Sequence, residues 1–201
     1  MKRADEDVKR ELSTFLNSNK PFYFVRHAKT EWNKENRVMG HKDVQLNSTG
    51  ITQAHLLGRM LQFQKLGIKY IYTSPLLRAK RTAEILSYYL KCEVIEVEDL
   101  KGTNSGIIEG QVYKDLQWKF NWEKGSKIEG AETFQNFRNR IVKAMNKIFE
   151  NQEPVLIVSH GAVCRLLSEL LYGKKQIASN AEFIKFPVSL VKTSSKMVSK
   201  L

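Results

Sequence analysis

Short apolar runs alternate along this chain with amphipathic stretches of 12 or more residues, and that alternation limits the fold more than any other feature. Phe22-Tyr23-Phe24-Val25, Tyr70-Ile71-Tyr72, Cys92 to Val97 and Val155-Leu156-Ile157-Val158 are too short for helices and suit strands. Runs apolar at every position, such as residues 155 to 158, must be covered on both faces, and strands joined by helices of this length pair in parallel. The expected fold class is therefore α/β, with a mostly parallel central sheet and helices on both faces. A further strand at Phe183 to Phe186 is expected to close it. At 201 residues and 42% hydrophobic content the chain suffices for a single domain with one sizeable core.

The helical stretches carry their own punctuation. Ile51, Ala54, Leu57, Leu61 and Phe63 follow Ser48-Thr49-Gly50 and precede Gly67. Leu76, Ala79, Ala83, Leu86 and Leu90 follow Thr73-Ser74-Pro75, where a capping hydroxyl and a first-turn proline predict the helix start. Residues 131 to 149 and 161 to 171 return the same periodicity. Residues 101 to 130 have weak periodicity and read as an insertion or lid carrying one short helix. Val8, Leu12, Phe15 and Leu16 predict an amphipathic helix, so residues 1–20 are expected to form an N-terminal helical extension, 21–190 the domain, and 191–201 a flexible tail.

No segment approaches the length of a bilayer span, and the charged start has no apolar run of a signal peptide, so no membrane association is expected. Cys92 and Cys164 lie far apart with no CxxC pair, which fits a reducing cytoplasmic setting and argues against a disulfide framework or zinc site. The net charge of +12 points to anionic partners. Its lysines are scattered rather than clustered, and the tail KTSSKMVSKL lacks aromatic interleaving, so nucleic acid is not the expected partner. The sequence carries no feature that specifies an oligomeric state.

Two of the four histidines each stand one residue beyond an apolar strand, as FYFV-R-H at His27 and VLIV-S-H at His160. The carboxyl ends of parallel strands are where open α/β sheets bind ligands. Arg26 and Arg78 would add guanidinium forks matched to phosphate oxygens, and Gly161 opens a helix whose first N–H groups face the same edge. A lone histidine at a strand end is more often structural, but these groups together describe a pocket that favours a phosphate dianion. His41 and His55 have no such support and read as loop and helix-surface residues. Trp32, Trp118 and Trp122 read as packing residues, with Trp32, beside Asn33, the one pocket candidate.

The segments FYFVRHAKTEWN, SPLLRAKRTAEIL and VLIVSHGAVCRLL, in this order, resemble the three signatures of the histidine phosphatase superfamily, which includes cofactor-dependent phosphoglycerate mutases. HKDVQLNSTGITQAHLLGRML, GAETFQNFRNRI and NAEFI extend the resemblance over roughly residues 21 to 186. The resemblance implies a phosphoglycerate mutase-like fold and a nucleophilic His27 that forms a phosphohistidine later hydrolysed by water. It implies that Arg26, Arg78 and His160 hold the transferring phosphoryl group, with His160 acting as imidazolium. Thr30, Asn33, Gly40 and Gly161 become substrate-binding positions, and no metal or other cofactor is implied. Two positions depart from the family: Ala28 follows His27 where glycine is usual, and the usual proton-donating glutamate falls on Gly102. Glu109 and Asp99 are the substitute acids. The expected function is a phosphatase acting on a small soluble phosphomonoester; the alternatives are mutase-type phosphoryl transfer, or a weakly active or inactive phosphate-binding member.

Overall fold

The computed structural model describes residues 21–112, 117–150 and 154–186; the helix expected over residues 5–17 and the tail at 191–201 lie outside the described residues. The elements are β1 (Phe22–Arg26), α1 (Glu31–Lys34), α2 (Ser48–Gln62), β2 (Tyr70–Thr73), α3 (Leu77–Leu90), β3 (Glu93–Glu96), α4 (Gln117–Glu123), α5 (Phe134–Glu150), β4 (Val155–Ser159), α6 (Gly161–Tyr172) and β5 (Phe183–Phe186). Single 3-10 turns occupy Glu98–Leu100 and Gly106–Ile108. The strands form one sheet in the order β3-β2-β4-β1-β5. β1 to β4 are parallel and β5 is antiparallel on β1, so the mostly parallel α/β sheet is as expected.

The strand residues alternate between two cores, which explains why β1 and β4 are apolar throughout. Phe22, Phe24, Val155 and Ile157 pack with Phe137, Ile141 and Met145 of α5 and Val163 and Leu167 of α6. Their neighbours Tyr23, Val25, Leu156 and Val158 face the other way, onto Leu57 and Leu61 of α2 and Ala79, Ala83 and Leu86 of α3. With period-2 side chains, a strand between two helical layers has no polar face to spare.

Two helix starts differ from the sequence expectation. α2 is capped by Asn47, whose side chain accepts from Gly50 N at 2.8 Å, one residue before the serine and threonine. α3 begins at Leu77 with Leu76 in the cap position and no side-chain cap bond, so Ser74 and Pro75 precede the helix rather than opening it. The Ser74 hydroxyl accepts from Leu76 N at 3.3 Å, ahead of the helix, and also meets a side chain at the sheet edge. The segment 101–130 holds the turn at Gly106–Ile108 as well as α4. Arg140 of α5 anchors its start by donating to the carbonyls of Asp99, Lys101 and Gly102 at 2.8, 2.7 and 2.6 Å while pairing with Glu132.

α2 and α3 pack closely because Gly58 meets the ring of Tyr89; a Cβ there would stand 2.3 Å from Tyr89 Cδ2. Gly→Ala in an unencumbered helix interior gains about 1 kcal/mol, whereas overpacking costs about 1–3 kcal/mol. Gly58→Ala is therefore expected to lower stability, seen as a lower urea midpoint at unchanged m; an unchanged or higher midpoint would contradict this packing.

Candidate active site

The register of β1 on β4 builds the site. Val25 pairs with Val158 and Arg26 with Ser159, and His27 N donates to Ser159 O at 2.8 Å. The residues that follow, His27 and His160, are thus held side by side at the carboxyl end of the sheet, with ring centroids 5.2 Å apart. That separation is about the spacing of neighbouring strands. On the other side of β4, Ser74 N donates to Val158 O at 3.1 Å, which brings the Ser74 hydroxyl within 2.8 Å of His160 Nε2. Arg78, in the first turn of α3, is buried and donates to the carbonyls of Lys42 and Gly40, both at 2.8 Å. Arg26 donates to Ala178 O at 2.7 Å.

Around these groups lies a cavity of about 210 Å³. Of the residues expected there from sequence, Arg26, His27, Asn33, Gly40, Arg78, His160 and Gly161 line it. Thr30 does not: it is buried as the N-cap of α1, in a reciprocal capping box with Asn33. Asn33 Oδ1 accepts from Thr30 N and from Asn180 Nδ2, both at 3.1 Å, which turns the Asn33 amide NH2 away from those partners. Asn180 also donates to His27 O at 3.0 Å. Asp99 lies outside the lining, and Glu109 stands behind Gly40, accepting from His41 N at 2.8 Å and Ser105 N at 2.9 Å through one oxygen.

Those contacts tie two loops together. Gly40 has φ +53, and a Cβ on it would fall 1.9 Å from Glu109 Oε1, so a side chain here would be strained and would displace the Glu109 carboxylate. His41 Nε2–H donates to Gly102 O at 2.9 Å, which makes His41 a strut of the cavity wall rather than a plain loop residue. Exposed His55, by contrast, only shares a hydrogen bond with Tyr89. Ala28 is outside the left-handed region and fully buried, with its N–H on Thr82 Oγ1, so it replaces glycine without backbone strain. A Cβ on Gly102 would approach His160 Cγ to 3.2 Å.

The two imidazoles are differentiated by their partners. A carbonyl can only accept, so the 2.8 Å contact of His27 Nδ1 with Ala28 O fixes the proton on Nδ1 and leaves the Nε2 lone pair free. Burial, then Arg78, then Arg26 hold His27 well below the usual histidine range. His160 is lowered as well, by burial first and then by Arg78, His27 and Arg26. The imidazolium expected at His160 therefore needs a bound anion to offset the guanidiniums. Burial also pushes Arg78 down to about 10, against the pull of Asp43 and Glu109, and leaves it cationic at neutral pH.

Sequence reasoning passes over Lys119 and Arg165 and takes Trp118 for a packing residue, yet all three line the cavity, from α4 and α6. Arg165 had a signal, since it stands one helical turn beyond Gly161 on α6. Trp118 and Lys119 had none, because their segment lacks periodicity. Trp32 instead packs against Gly110, and Trp122 is buried in the core. Among the described residues, no group of three or more His, Cys, Asp or Glu is placed to hold a metal ion.

Comparison with known proteins bears on the fold and the family. The family model of the histidine phosphatase superfamily (branch 1) matches residues 22–193. The chain is 34% identical over 159 residues to the uncharacterized phosphatase PhoE of Bacillus subtilis (strain 168), covering 77% of this chain and 79% of that protein. It is 32% identical over 162 residues to the probable phosphoglycerate mutase GpmB of Serratia proteamaculans, covering 75% and 74%. A crystal structure of phosphoglycerate mutase from Thermus thermophilus superposes with a TM-score of 0.68 at 25% identity, over 83% of this chain and 92% of that one.

The depressed histidines set a pH dependence of stability. Below about pH 6.5 the unfolded imidazoles take up protons while His27 and His160 in the folded protein stay neutral. The unfolded state then binds more protons, so stability falls as pH drops through that window, by up to about 1.4 kcal/mol per pH unit for each histidine. Thermal unfolding of the wild type and of His27→Asn/His160→Asn between pH 7 and 5.5 reads this directly, and equal slopes for the two proteins would contradict it.

Proposed function

Since the chain belongs to the histidine phosphatase superfamily, we propose that it hydrolyses a small phosphomonoester through a phosphohistidine on Nε2 of His27. The observation that carries this reading is the 2.8 Å contact of His27 Nδ1 with Ala28 O, which assigns the proton to Nδ1 and leaves the Nε2 lone pair free in a ring that adjoins His160. In the first step that lone pair attacks phosphorus, an N–P bond forms, and the P–O ester bond breaks with its electron pair on the leaving oxygen, which takes a proton from water. In the second, water attacks phosphorus, the N–P bond breaks, and the pair returns to Nε2 as inorganic phosphate and a proton depart.

Arg26, Arg78 and the Asn33 amide are assigned to the equatorial oxygens, with further donors at the start of α6 from Gly161. Because Arg78 is also bound to Gly40 O and Lys42 O, its fork is fixed before the substrate arrives. A bound dianion would raise the pKa of His160 and restore the imidazolium that stabilises the transferred oxygens.

No Asp or Glu lines the cavity among the described residues, so protonation of the leaving group is left to water. Esters with good leaving groups are the ones such a site serves best. Mutase-type transfer, which must protonate and deprotonate sugar-like hydroxyls repeatedly, is less well served by it.

An activated aryl phosphate should yield inorganic phosphate and an acid-labile phosphoenzyme mapped to His27, and His27→Ala should abolish both. Phosphate or vanadate binding with no turnover would instead favour a binding protein. Gly102→Glu should raise the turnover of alkyl phosphates by up to about 10²-fold while changing aryl phosphate turnover far less. Equal effects on both would remove the leaving-group argument.

A further inference from the structure

We propose that the exposed apolar stripe of α2 is a docking face for residues 5–17 of this same chain, which lie along α2 as a parallel amphipathic helix.

Three large apolar side chains stand in line on the outer face of α2 and its C-cap: Leu56, Met60 and Phe63, at relative exposures of 61, 48 and 81%. They fall at i, i+4 and i+7, which is one narrow arc of a helix. The inward face of the same helix, with Ala54, Leu57, Gly58 and Leu61, is already buried. A single exposed apolar side chain is ordinary, whereas a row of three marks a surface that binds something.

The first ground for the occupant is spacing. Val8, Leu12 and Phe15 repeat the same i, i+4, i+7 interval, with Leu16 beside them. Equal intervals on two parallel helices set Val8 against Leu56, Leu12 against Met60 and Phe15 against Phe63. The family model starts at residue 22, so this segment is not one of the family domain's own elements.

The second ground is the path of the chain. β1 and β2 both run parallel to β4, so Phe22 and Tyr70 start at one edge of the sheet, opposite the histidines. α2 ends at that edge, because only a short connection leads from Phe63 to β2. It packs on β1 there, with Leu57 and Leu61 in one core with Tyr23. Residues 16–20, at up to about 3.5 Å each, need only join the Phe63 end of α2 to Pro21. A segment tied by its carboxyl end at this point runs in the same direction as α2.

The third ground is charge. Residues 48 to 69 include no Asp or Glu and carry Arg59, Lys65 and Lys69, all exposed. Helical spacing places Asp5 and Glu11 on the two borders of the Val8 to Phe15 stripe, and Lys9 and Arg10 on its far side. The tail after Phe186 starts at the same edge, because β5 is antiparallel to β1. Residues 187–201, however, contain no acidic residue and no apolar row at i, i+4 and i+7.

Hydrogen exchange on the whole chain tests this independently of the phosphatase reading. Amides of residues 8–16 should exchange at least about tenfold more slowly than in an unstructured peptide, and Met60→Asp should return them to the peptide rate. Met60→Asp and Leu12→Asp should each lower the urea midpoint, and the double variant should fall no further than the lower of the two. Leu12→Cys/Met60→Cys should close a disulfide within one molecule, at least about tenfold faster than Lys9→Cys/Met60→Cys, whose first cysteine faces away. Unprotected amides at 8–16, or protection that survives Met60→Asp, would overturn the proposal. So would a disulfide formed only between molecules, which gives the face to a second copy. Protection at residues 188–191 in place of 8–16, removed by Met60→Asp, would overturn it in favour of the carboxyl-terminal tail.

Discussion

The parallel pairing of β1 with β4 is the constraint on which everything else in this protein depends. Val25 opposite Val158 and Arg26 opposite Ser159 leave His27 and His160 as the next residues on adjacent strands. Their closeness is therefore a property of the sheet ladder, not of a flexible loop. Shifting β1 by one residue would move Phe22 and Phe24 from the α5 and α6 layer to the α2 and α3 layer and separate the rings at the same time. The core that stabilises the fold and the geometry of the site are set by one register.

Placing two imidazoles and two guanidiniums at one buried sheet edge carries an electrostatic cost, and the surrounding backbone absorbs part of it. Arg78 gives hydrogen bonds to two loop carbonyls, Arg26 to one, and His27 to another. Carbonyl dipoles offset the cations without neutralising them, so the field in the cavity stays positive and is ready for an anion. The loops that provide these carbonyls are fixed in turn by the Glu109 carboxylate and the His41 ring. Glu109, a candidate acid by its place in the sequence, thus has a clear positioning contact in the fold.

How much of this can be read from sequence follows from the range of the interactions involved. The strands, their two-faced burial and the histidines at their ends are legible because period and local composition report them. Arg78 is legible through its place just after a strand. Ser74 reads as a helix cap, since a serine before a proline gives the same local signal whether its hydroxyl serves the helix or His160 on the neighbouring strand. Asn180, His41 and Lys119 act across more than 60 residues or from an aperiodic segment, where nothing local marks the partner. Thr30 reads as a substrate contact through the family resemblance, yet its hydroxyl accepts from Asn33 N and donates to Asn33 Oδ1 in capping a four-residue helix.

The glycine at position 102, where the family resemblance places an acid, has an electrostatic meaning of its own. A carboxylate beside His160 would raise its pKa and stabilise a resident proton; without it, burial and the guanidiniums hold both rings neutral. A neutral His27 keeps its lone pair at lower pH, as its proposed role as nucleophile requires. In the proposed reaction a neutral His160 gains its charge only when an anion arrives, so that binding the phosphoryl group would itself create the extra stabilising cation. The same substitution leaves the lining of the cavity with positive charges and no counter-charge from a carboxylate, which shifts the burden of neutrality onto the substrate. In the proposed reaction, leaving-group activation and the charge of the cavity are in this way linked through one position: a lining without a carboxylate is served best by a substrate that brings negative charge and leaves easily.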